Sequence, residues 1–139
     1  MKLTIRLYII PILFLLACSG DLFQYSIHQI NSEYSGSNFN IINAKKIEEI
    51  CNNPGEDFTF AVVTDSHIHY DKLDEAIHLI SKNPDVKFVV HLGDFTDTGL
   101  VFQYNMTLEI LDELKVPFLT AIGNHDILGN GLTIFKDIF

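Results

Sequence analysis

Short apolar runs of strand length alternate with segments of helical periodicity in the later part of the chain. The runs cover residues 58–63, 86–92 and 116–122 and are rich in Val, Ile and Phe, which is typical of buried strands. Between them, apolar residues recur three and four positions apart and predict helices over residues 71–81 and 100–114. This order of elements predicts an α/β fold with a mainly parallel sheet and flanking helices.

A further helix is predicted just before the first strand. Ile41, Ile42, Ile47 and Ile50 are separated by charged residues, as in a short amphipathic helix. The cluster Asn-Asn-Pro-Gly at residues 52–55 ends it, because these residue types favour turns over helix. We therefore expect the folded domain to occupy residues 44–139.

The first 17 residues have the pattern of a secretion signal. Lys2 and Arg6 supply the positive region, residues 7–16 the apolar stretch, and Ala17 the small residue before a cleavage point. The apolar stretch is shorter than the roughly 20 residues that span a bilayer. The pattern predicts a signal peptide over residues 1–17 and therefore export.

A cysteine directly follows this segment. The sequence Leu-Leu-Ala-Cys at residues 15–18 resembles a bacterial lipoprotein signal, in which Cys18 is lipidated and anchors the chain to a cell-envelope membrane. The alternative is an ordinary secretory signal that contains a cysteine, and a Cys18–Cys51 disulfide is then possible. Both interpretations predict export.

Residues 18–43 are predicted to be a lipidated N-terminus, a tether and an edge strand. Phe23, Tyr25 and Ile27 alternate with polar residues, which is the period of a half-buried strand. Ser, Gly and Asn are concentrated in residues 31–40, as in a flexible connection. The edge strand would pair with the later sheet.

Composition and charge limit the possible partners. With 139 residues, 47% hydrophobic and 19% charged, the chain fits one small globular domain. The formal net charge is −9, and without residues 1–17 it becomes −11, from 7 basic and 18 acidic residues. Nucleic acid is therefore not expected as a partner, because phosphate backbones are held by clustered Lys and Arg. Acidic clefts favour cations instead.

Polar clusters follow the three apolar runs at intervals of about thirty residues, the size of one βαβ unit. They are Asp65-Ser66-His67, Gly93-Asp94-Phe95-Thr96-Asp97 and Gly123-Asn124-His125-Asp126. The carboxyl ends of parallel strands share one edge of a sheet, so these loops are expected to meet in one crevice. The side chains that would converge there are Asp65, His67, Asp94, Asn124 and His125.

These residue types suit a metal site. Asp65 and His67 lie two apart, so on an extended backbone both point to the same side and grip one cation. Asp94 is the natural bridging ligand because its carboxylate has two oxygens, and Asn124 offers a neutral carbonyl oxygen. The alternative at each position is structural: an aspartate that caps a helix, a turn aspartate, or an exposed loop.

The last cluster adds acid–base chemistry. His125 can donate a proton to a leaving oxygen if it is not itself bound to metal. Asp126 is expected to orient that imidazole. Each cluster taken alone also has a structural explanation. The predicted site is absent only if the structural explanation is right for all three clusters.

The ordered set of clusters resembles the calcineurin-like metallophosphoesterases, whose motifs run Asp-x-His, Gly-Asp-x-x-Asp and Gly-Asn-His-Asp. The resemblance implies that Asp65, His67 and Asp94 bind a first metal, and that Asp94 and Asn124 bind a second. His125 would be the catalytic proton donor, and Asp97, like Asp126, would support the site from behind the ligands. The implied cofactors are two divalent metal ions, Mn, Fe or Zn, and the implied substrate is a small phosphoester attacked by a bridging hydroxide.

The chain departs from that family after Asp126. The family continues with a separate histidine motif and then Gly-His-x-His, whereas no histidine follows residue 126 here. We therefore expect a partial metallophosphoesterase sandwich whose C-terminal part is missing, with weak or absent turnover. The alternative is a non-catalytic exported lipoprotein that binds a cation or a partner on the same scaffold. A dinucleotide-binding fold is not expected, because no glycine-rich fingerprint follows the first strand.

Overall fold

A computed structural model describes residues 29–53 and 55–139 of the chain. Across these two stretches the chain forms, in order, helix α1 (Phe39–Ile50), strand β1 (Thr59–Val63), helix α2 (Tyr70–Ile80), strand β2 (Val86–His91), helix α3 (Val101–Leu111), strand β3 (Phe118–Thr120) and helix α4 (Gly131–Ile138). The predicted signal peptide, the lipidation of Cys18 and the edge strand around Tyr25 lie outside the described residues. None of the helices in the described ranges has the length and apolar character that a bilayer span requires.

The three strands form one parallel sheet in the order β1, β2, β3. The register places Val63 beside His91 and His91 beside Thr120, so all three strands end along one edge. The predicted α/β class with a mainly parallel sheet is confirmed. Strand β3 begins at Phe118, later than the predicted run, because Pro117 has no N–H to donate to the ladder, and it ends at Thr120.

The helices bury their apolar sides in one core. Leu108 and Leu111 of α3 are each 1% exposed, as the helical spacing predicts. They join one cluster with the inner sides of the other elements: Leu73 and Ile77 of α2, Val89 of β2, Phe118 of β3, and Ile134 and Ile138 of α4. Helix α3 ends at Leu111 rather than at residue 114. The core therefore holds the helices against the sheet.

Helix α1 differs from its predicted form in length and in orientation. It begins at Phe39, earlier than the isoleucine pattern indicates, and Ile41 and Ile42 are exposed. The side chains that face the sheet include amides. Asn43 Nδ2 donates to the Phe118 carbonyl at 2.9 Å, while Asn40 accepts from the Thr120 N–H at 2.8 Å and donates to the Thr120 carbonyl at 2.9 Å.

The physical reason is that one edge of β3 has no partner strand among residues 29–53 and 55–139. An edge strand presents unpaired backbone N–H and C=O groups, and these lose free energy when they are buried without partners. The two asparagine amides supply the partners that another strand would otherwise supply. Hydrogen bonding to the β3 edge, rather than burial of isoleucine, therefore sets which side of α1 faces the protein.

We predict that Asn43→Ala destabilises the protein by about 1–3 kcal/mol, because it leaves the buried Phe118 carbonyl without its donor. Ile41→Ala on the exposed side of the same helix is the control and should change stability by less than about 0.5 kcal/mol. Urea unfolding of both variants measures the difference. Equal losses, or a larger loss for Ile41→Ala, would contradict this account of α1.

Candidate metal centre

The loop after β1 carries the first predicted ligands in an unusual backbone conformation. Asp65 has φ 52° and His67 has φ 39°, in the left-handed region that residues other than glycine seldom adopt. The extended backbone expected from the sequence is therefore not what aligns them. Instead the loop is bonded to the next one, with the Asp65 N–H donating to the Gly93 carbonyl at 3.1 Å and the His67 N–H to the Asp94 carbonyl at 3.0 Å.

Asp65, His67 and Asp94 converge on one point. Their candidate ligand atoms all lie within 4.8 Å of one another, and His67 Nε2 is 4.0 Å from Asp65 Oδ1. Two ligands of one cation with bonds of about 2.0–2.2 Å lie at most about 4.4 Å apart, so small side-chain movements are enough to reach bonding distance. The carboxylate and imidazole donors present here suit a divalent transition metal.

Asp97 lies between the two histidines of the site. Its Oδ1 is 4.0 Å from His67 Nδ1 and 3.9 Å from His125 Nδ1. The two imidazole rings stand edge to face with centroids 4.5 Å apart. His67 Nδ1 is buried without a hydrogen-bond partner. A carboxylate that accepts from the non-ligating nitrogen is the usual way a metal-binding histidine is oriented. Asp97 lies beside that nitrogen of His67, at 4.0 Å, which is beyond hydrogen-bond distance.

His125 is held at two atoms. Its backbone N–H donates to Asp94 Oδ1 at 2.8 Å, and its Nδ1 lies 2.9 Å from the Asp97 carbonyl oxygen, to which it donates. The bond to this carbonyl raises the pKa of His125, partial desolvation opposes the rise, and the carboxylates of Asp94, Asp97 and Asp126 add to it. With its proton on Nδ1 engaged, Nε2 is the nitrogen available for proton exchange.

Asp126 does not orient the imidazole as the sequence suggested. Its carboxylate is fully buried and accepts four hydrogen bonds. Three come from the loop after β2, from Asp94 N–H at 2.7 Å, Thr96 N–H at 2.8 Å and Thr96 Oγ1 at 2.9 Å, and one comes from its own loop, from Gly123 N–H at 2.9 Å. The role expected of Asp126 belongs to the Asp97 carbonyl. Asp126 instead joins the loop that carries Asp94 to the loop that carries His125.

The two glycines of these loops are needed for close approach. A Cβ built on Gly93, which has φ 99°, would lie 2.5 Å from the Gly123 nitrogen, and one built on Gly123 would collide with the Asp94 carboxylate. Any side chain at either position would therefore separate the loops. Asn124, between Gly123 and His125, is exposed, and chain connectivity keeps it beside the site.

Sequence reasoning missed the buried polar residues of α3 that hold these loops. Gln103 Oε1 accepts from the backbone and hydroxyl of Thr98, both at 3.0 Å. The Tyr104 hydroxyl lies 2.9 Å from the Asp126 carbonyl oxygen and 3.0 Å from that of Gly131, and Thr107 donates to the Phe95 carbonyl at 3.0 Å. The sequence spacing could have indicated their burial, because these polar residues fall on the same side of the helix as the inward leucines.

His91 supports the site from the end of β2. It is fully buried, and its Nδ1 accepts from the Gly93 N–H at 3.2 Å. The ring proton is therefore on Nε2, which lies 3.1 Å from Ser66 Oγ. Burial lowers the pKa of His91 to about 4, although the nearby carboxylates of Asp126, Asp65 and Asp94 oppose this. The neutral ring connects the first two loops.

Comparison with known proteins agrees with this arrangement. The sequence profile of the calcineurin-like phosphoesterases matches residues 58–138, more than half of the chain. The chain belongs to the calcineurin-like phosphoesterase family. The match begins just before β1 and ends at the last residue of α4, so it includes all three loops.

The chain is also similar to an individual protein of described activity. The chain is 33% identical over 64 residues to a probable cyclic nucleotide phosphodiesterase of Xenorhabdus bovienii (strain SS-2004). The alignment covers 44% of this chain and 26% of that protein, so the chain matches about a quarter of its relative's length. No solved structure matches.

We predict that the protein loses stability as the pH falls from about 6.5 to about 4. In that window the unfolded chain binds a proton at residue 91 that the folded chain, with a pKa of about 4, does not bind. The loss attributable to His91 is on the order of 3 kcal/mol. Urea unfolding at several pH values for the native chain and for His91→Gln isolates it, because all other titrating groups are common to both.

The difference between the two pH profiles is the quantity to examine. Parallel profiles for the native chain and His91→Gln would contradict a neutral buried ring. An NMR titration of the His91 ring protons in the native chain gives the pKa directly and does not depend on the stability of the variant.

Proposed function

We propose that this chain is part of a metal-dependent phosphoesterase that hydrolyses phosphoester bonds in small molecules. The observation that carries the proposal is the convergence of Asp65, His67 and Asp94, whose candidate ligand atoms lie within 4.8 Å of one another. Beside them His125 is bonded through its backbone to Asp94. A cation site and a proton donor on neighbouring loops are the two components that phosphoester hydrolysis needs.

We assign Asp65, His67 and Asp94 to a first divalent cation, and Asp94 with Asn124 to a second. Cations held there supply positive charge that polarises the phosphoryl group and lowers the pKa of water. Carboxylate, amide and imidazole donors suit Mn, Fe or Zn and do not distinguish among them. The positive φ of all three first-site residues supports the assignment, since strained backbone of this kind clusters at functional sites.

His125 is assigned the role of proton donor to the departing oxygen. The Asp97 carbonyl fixes the proton on Nδ1 and raises the pKa of the ring, which favours the protonated form from which Nε2 donates. General acid catalysis of this kind contributes typically 10²–10⁴ in rate. Asp126 contributes indirectly, because it keeps the loop of His125 in register with the loop of Asp94.

Two donors are few for a second cation. We assign it only Asp94 and Asn124 among the described residues, so we expect this 139-residue chain to turn over phosphoesters weakly and to need further ligands for full activity. The relative's description as a probable cyclic nucleotide phosphodiesterase favours a phosphodiester as the substrate class.

The second candidate is a non-catalytic exported binding module on the same scaffold. The placement of His125 argues for catalysis, because a module that only binds a cation or a partner has no use for an oriented proton donor. The two candidates differ in one measurable property. Only the enzyme gives metal-dependent turnover that is lost with His125.

We expect Asp94→Asn to abolish binding of Mn²⁺ and Zn²⁺ at this site, because it removes the carboxylate assigned to both cations. Asp85→Asn is the matched control, since Asp85 is an exposed carboxylate at the opposite end of β2 and its loss should leave binding unchanged. Isothermal titration of the metal-free chain measures both. Unchanged uptake in Asp94→Asn would remove the basis of the proposal.

Turnover of an aryl phosphodiester with added Mn²⁺ provides the second readout. Any activity of this chain should disappear in Asp94→Asn and fall by about 10²–10⁴ in His125→Asn, while metal uptake by His125→Asn persists. Activity that survives Asp94→Asn would exclude this site as its source. Vigorous turnover by the native chain would show that no further ligands are needed.

We also propose that the protein is exported and anchored to a cell-envelope membrane through a lipid on Cys18. Cys18→Ser in bacteria with an intact lipoprotein export pathway should move the chain from the membrane fraction to the soluble fraction. Cys51→Ser is the control and should leave it with the membrane. Fractionation followed by mass spectrometry of the N-terminal peptide decides, and an unmodified Cys18 in the membrane fraction would refute lipid anchoring.

A further inference from the structure

Asp97 and the two histidines beside it form a second group of candidate metal ligands. The ligand atoms of His67, Asp97 and His125 all lie within 4.8 Å of one another, and all three residues are half-buried. Asp97 Oδ1 lies 4.0 Å from His67 Nδ1 and 3.9 Å from His125 Nδ1. These distances are too long for a hydrogen bond to either ring, but they fall within the roughly 4.4 Å that can separate two ligands of one zinc ion.

We propose that His67, Asp97 and His125 form an alternative zinc position that inhibits the site by displacing the first cation. Two imidazoles and one carboxylate are a ligand set that zinc accepts, with water in the remaining position. The first centre instead has two carboxylates and one imidazole, a set richer in the oxygen ligands that suit Mn²⁺. Zinc is therefore expected to reach the position with two histidines, whereas Mn²⁺ stays at the first centre.

The state of His67 Nδ1 supports a cation at this position. The atom is enclosed by protein and has no hydrogen-bond partner, which is unfavourable for a polar atom. Asp97 Oδ1, at 4.0 Å, is too far away to satisfy it. A zinc ion between the two side chains binds this nitrogen directly and requires only a small movement of either one. The unsatisfied atom is thus itself one of the proposed ligands.

The ring proton of His67 makes the two cation positions mutually exclusive. At the first centre the ligand is Nε2, which lies 4.0 Å from Asp65 Oδ1, and the proton is on Nδ1. At the alternative position the ligand is Nδ1, so the proton is on Nε2. A neutral imidazole has only one nitrogen without a proton. One ring therefore cannot bind both ions at once.

Zinc at the alternative position also withdraws the proposed proton donor. His125 Nδ1 leaves the Asp97 carbonyl, to which it donates at 2.9 Å, and binds the ion instead. Loss of this hydrogen bond opposes binding, so we expect weaker affinity than that of closed structural zinc sites. The inhibition rests on the proposed phosphoesterase function, whereas the binding of zinc does not.

NMR of the histidine ring nitrogens in the whole chain tests the position. Zn²⁺ is titrated at constant pH into Asp65→Asn, which removes a ligand of the first centre alone. We expect saturable changes that place zinc on Nδ1 and the proton on Nε2 of both His67 and His125. Adding Asp97→Asn should weaken this binding at least about tenfold. Asp85→Asn is the matched control, because Asp85 is an exposed carboxylate far from the site, and it should leave the affinity unchanged.

Two binding results would overturn the proposal. They are a proton that stays on Nδ1 of His125 while zinc is bound, and equal weakening by Asp97→Asn and Asp85→Asn. If Asp65→Asn does not fold, the same titration of the native chain decides, because the ring signals report which nitrogen binds zinc. These signals also identify any zinc retained by Asp94→Asn, so Mn²⁺ uptake remains the measure of the first centre.

Turnover separates this inference from the proposed function. Excess zinc should inhibit the Mn²⁺-dependent hydrolysis of an aryl phosphodiester by the native chain. Inhibition without zinc on the two Nδ1 atoms would overturn the inference and leave the phosphoesterase function standing. Zinc on both Nδ1 atoms in a chain without Mn²⁺-dependent turnover would support the zinc position and count against the proposed function.

Discussion

The buried carboxylate of Asp126 is the interaction on which the remainder of the site depends. It is enclosed by protein and accepts four hydrogen bonds from two different loops. A buried charge is tolerated only when its hydrogen-bonding capacity is met. The backbones around Asp94 and Gly123 must therefore stay where they can donate to it, and this requirement fixes the separation between the predicted ligands and His125.

Helix α3 extends this constraint into the core. Tyr104 reaches the carbonyl of Asp126, while Gln103 and Thr107 bind the loop that follows β2. Leu108 and Leu111 pack on the inward side of the same helix. Helix α3 thus packs in the hydrophobic core and also holds the loops of the candidate ligands. A change in the packing of α3 would therefore shift these loops.

Much of this arrangement could be predicted from the sequence, for physical reasons. Strands rich in Val, Ile and Phe, helices with apolar spacing, and polar clusters at strand ends are local signals, and parallel pairing then brings the clusters to one edge. Which side of α1 faces the protein could not be predicted, because it depends on hydrogen bonds to backbone groups of β3 that are distant in sequence. The hydrogen-bond partners of Asp126 could not be predicted either. The residue type alone does not indicate whether an aspartate binds a side chain or backbone amides.

The left-handed backbone at Asp65, His67 and Asp94 has a consequence for how this protein can vary. Glycine adopts such angles freely, so glycine at any of the three would relax the local chain while deleting a candidate ligand. At Asp94 glycine would also remove the carboxylate that accepts from the His125 N–H, so part of the gain in backbone freedom would be lost there. The conflict between an unstrained backbone and a complete set of candidate ligands is concentrated at these three positions.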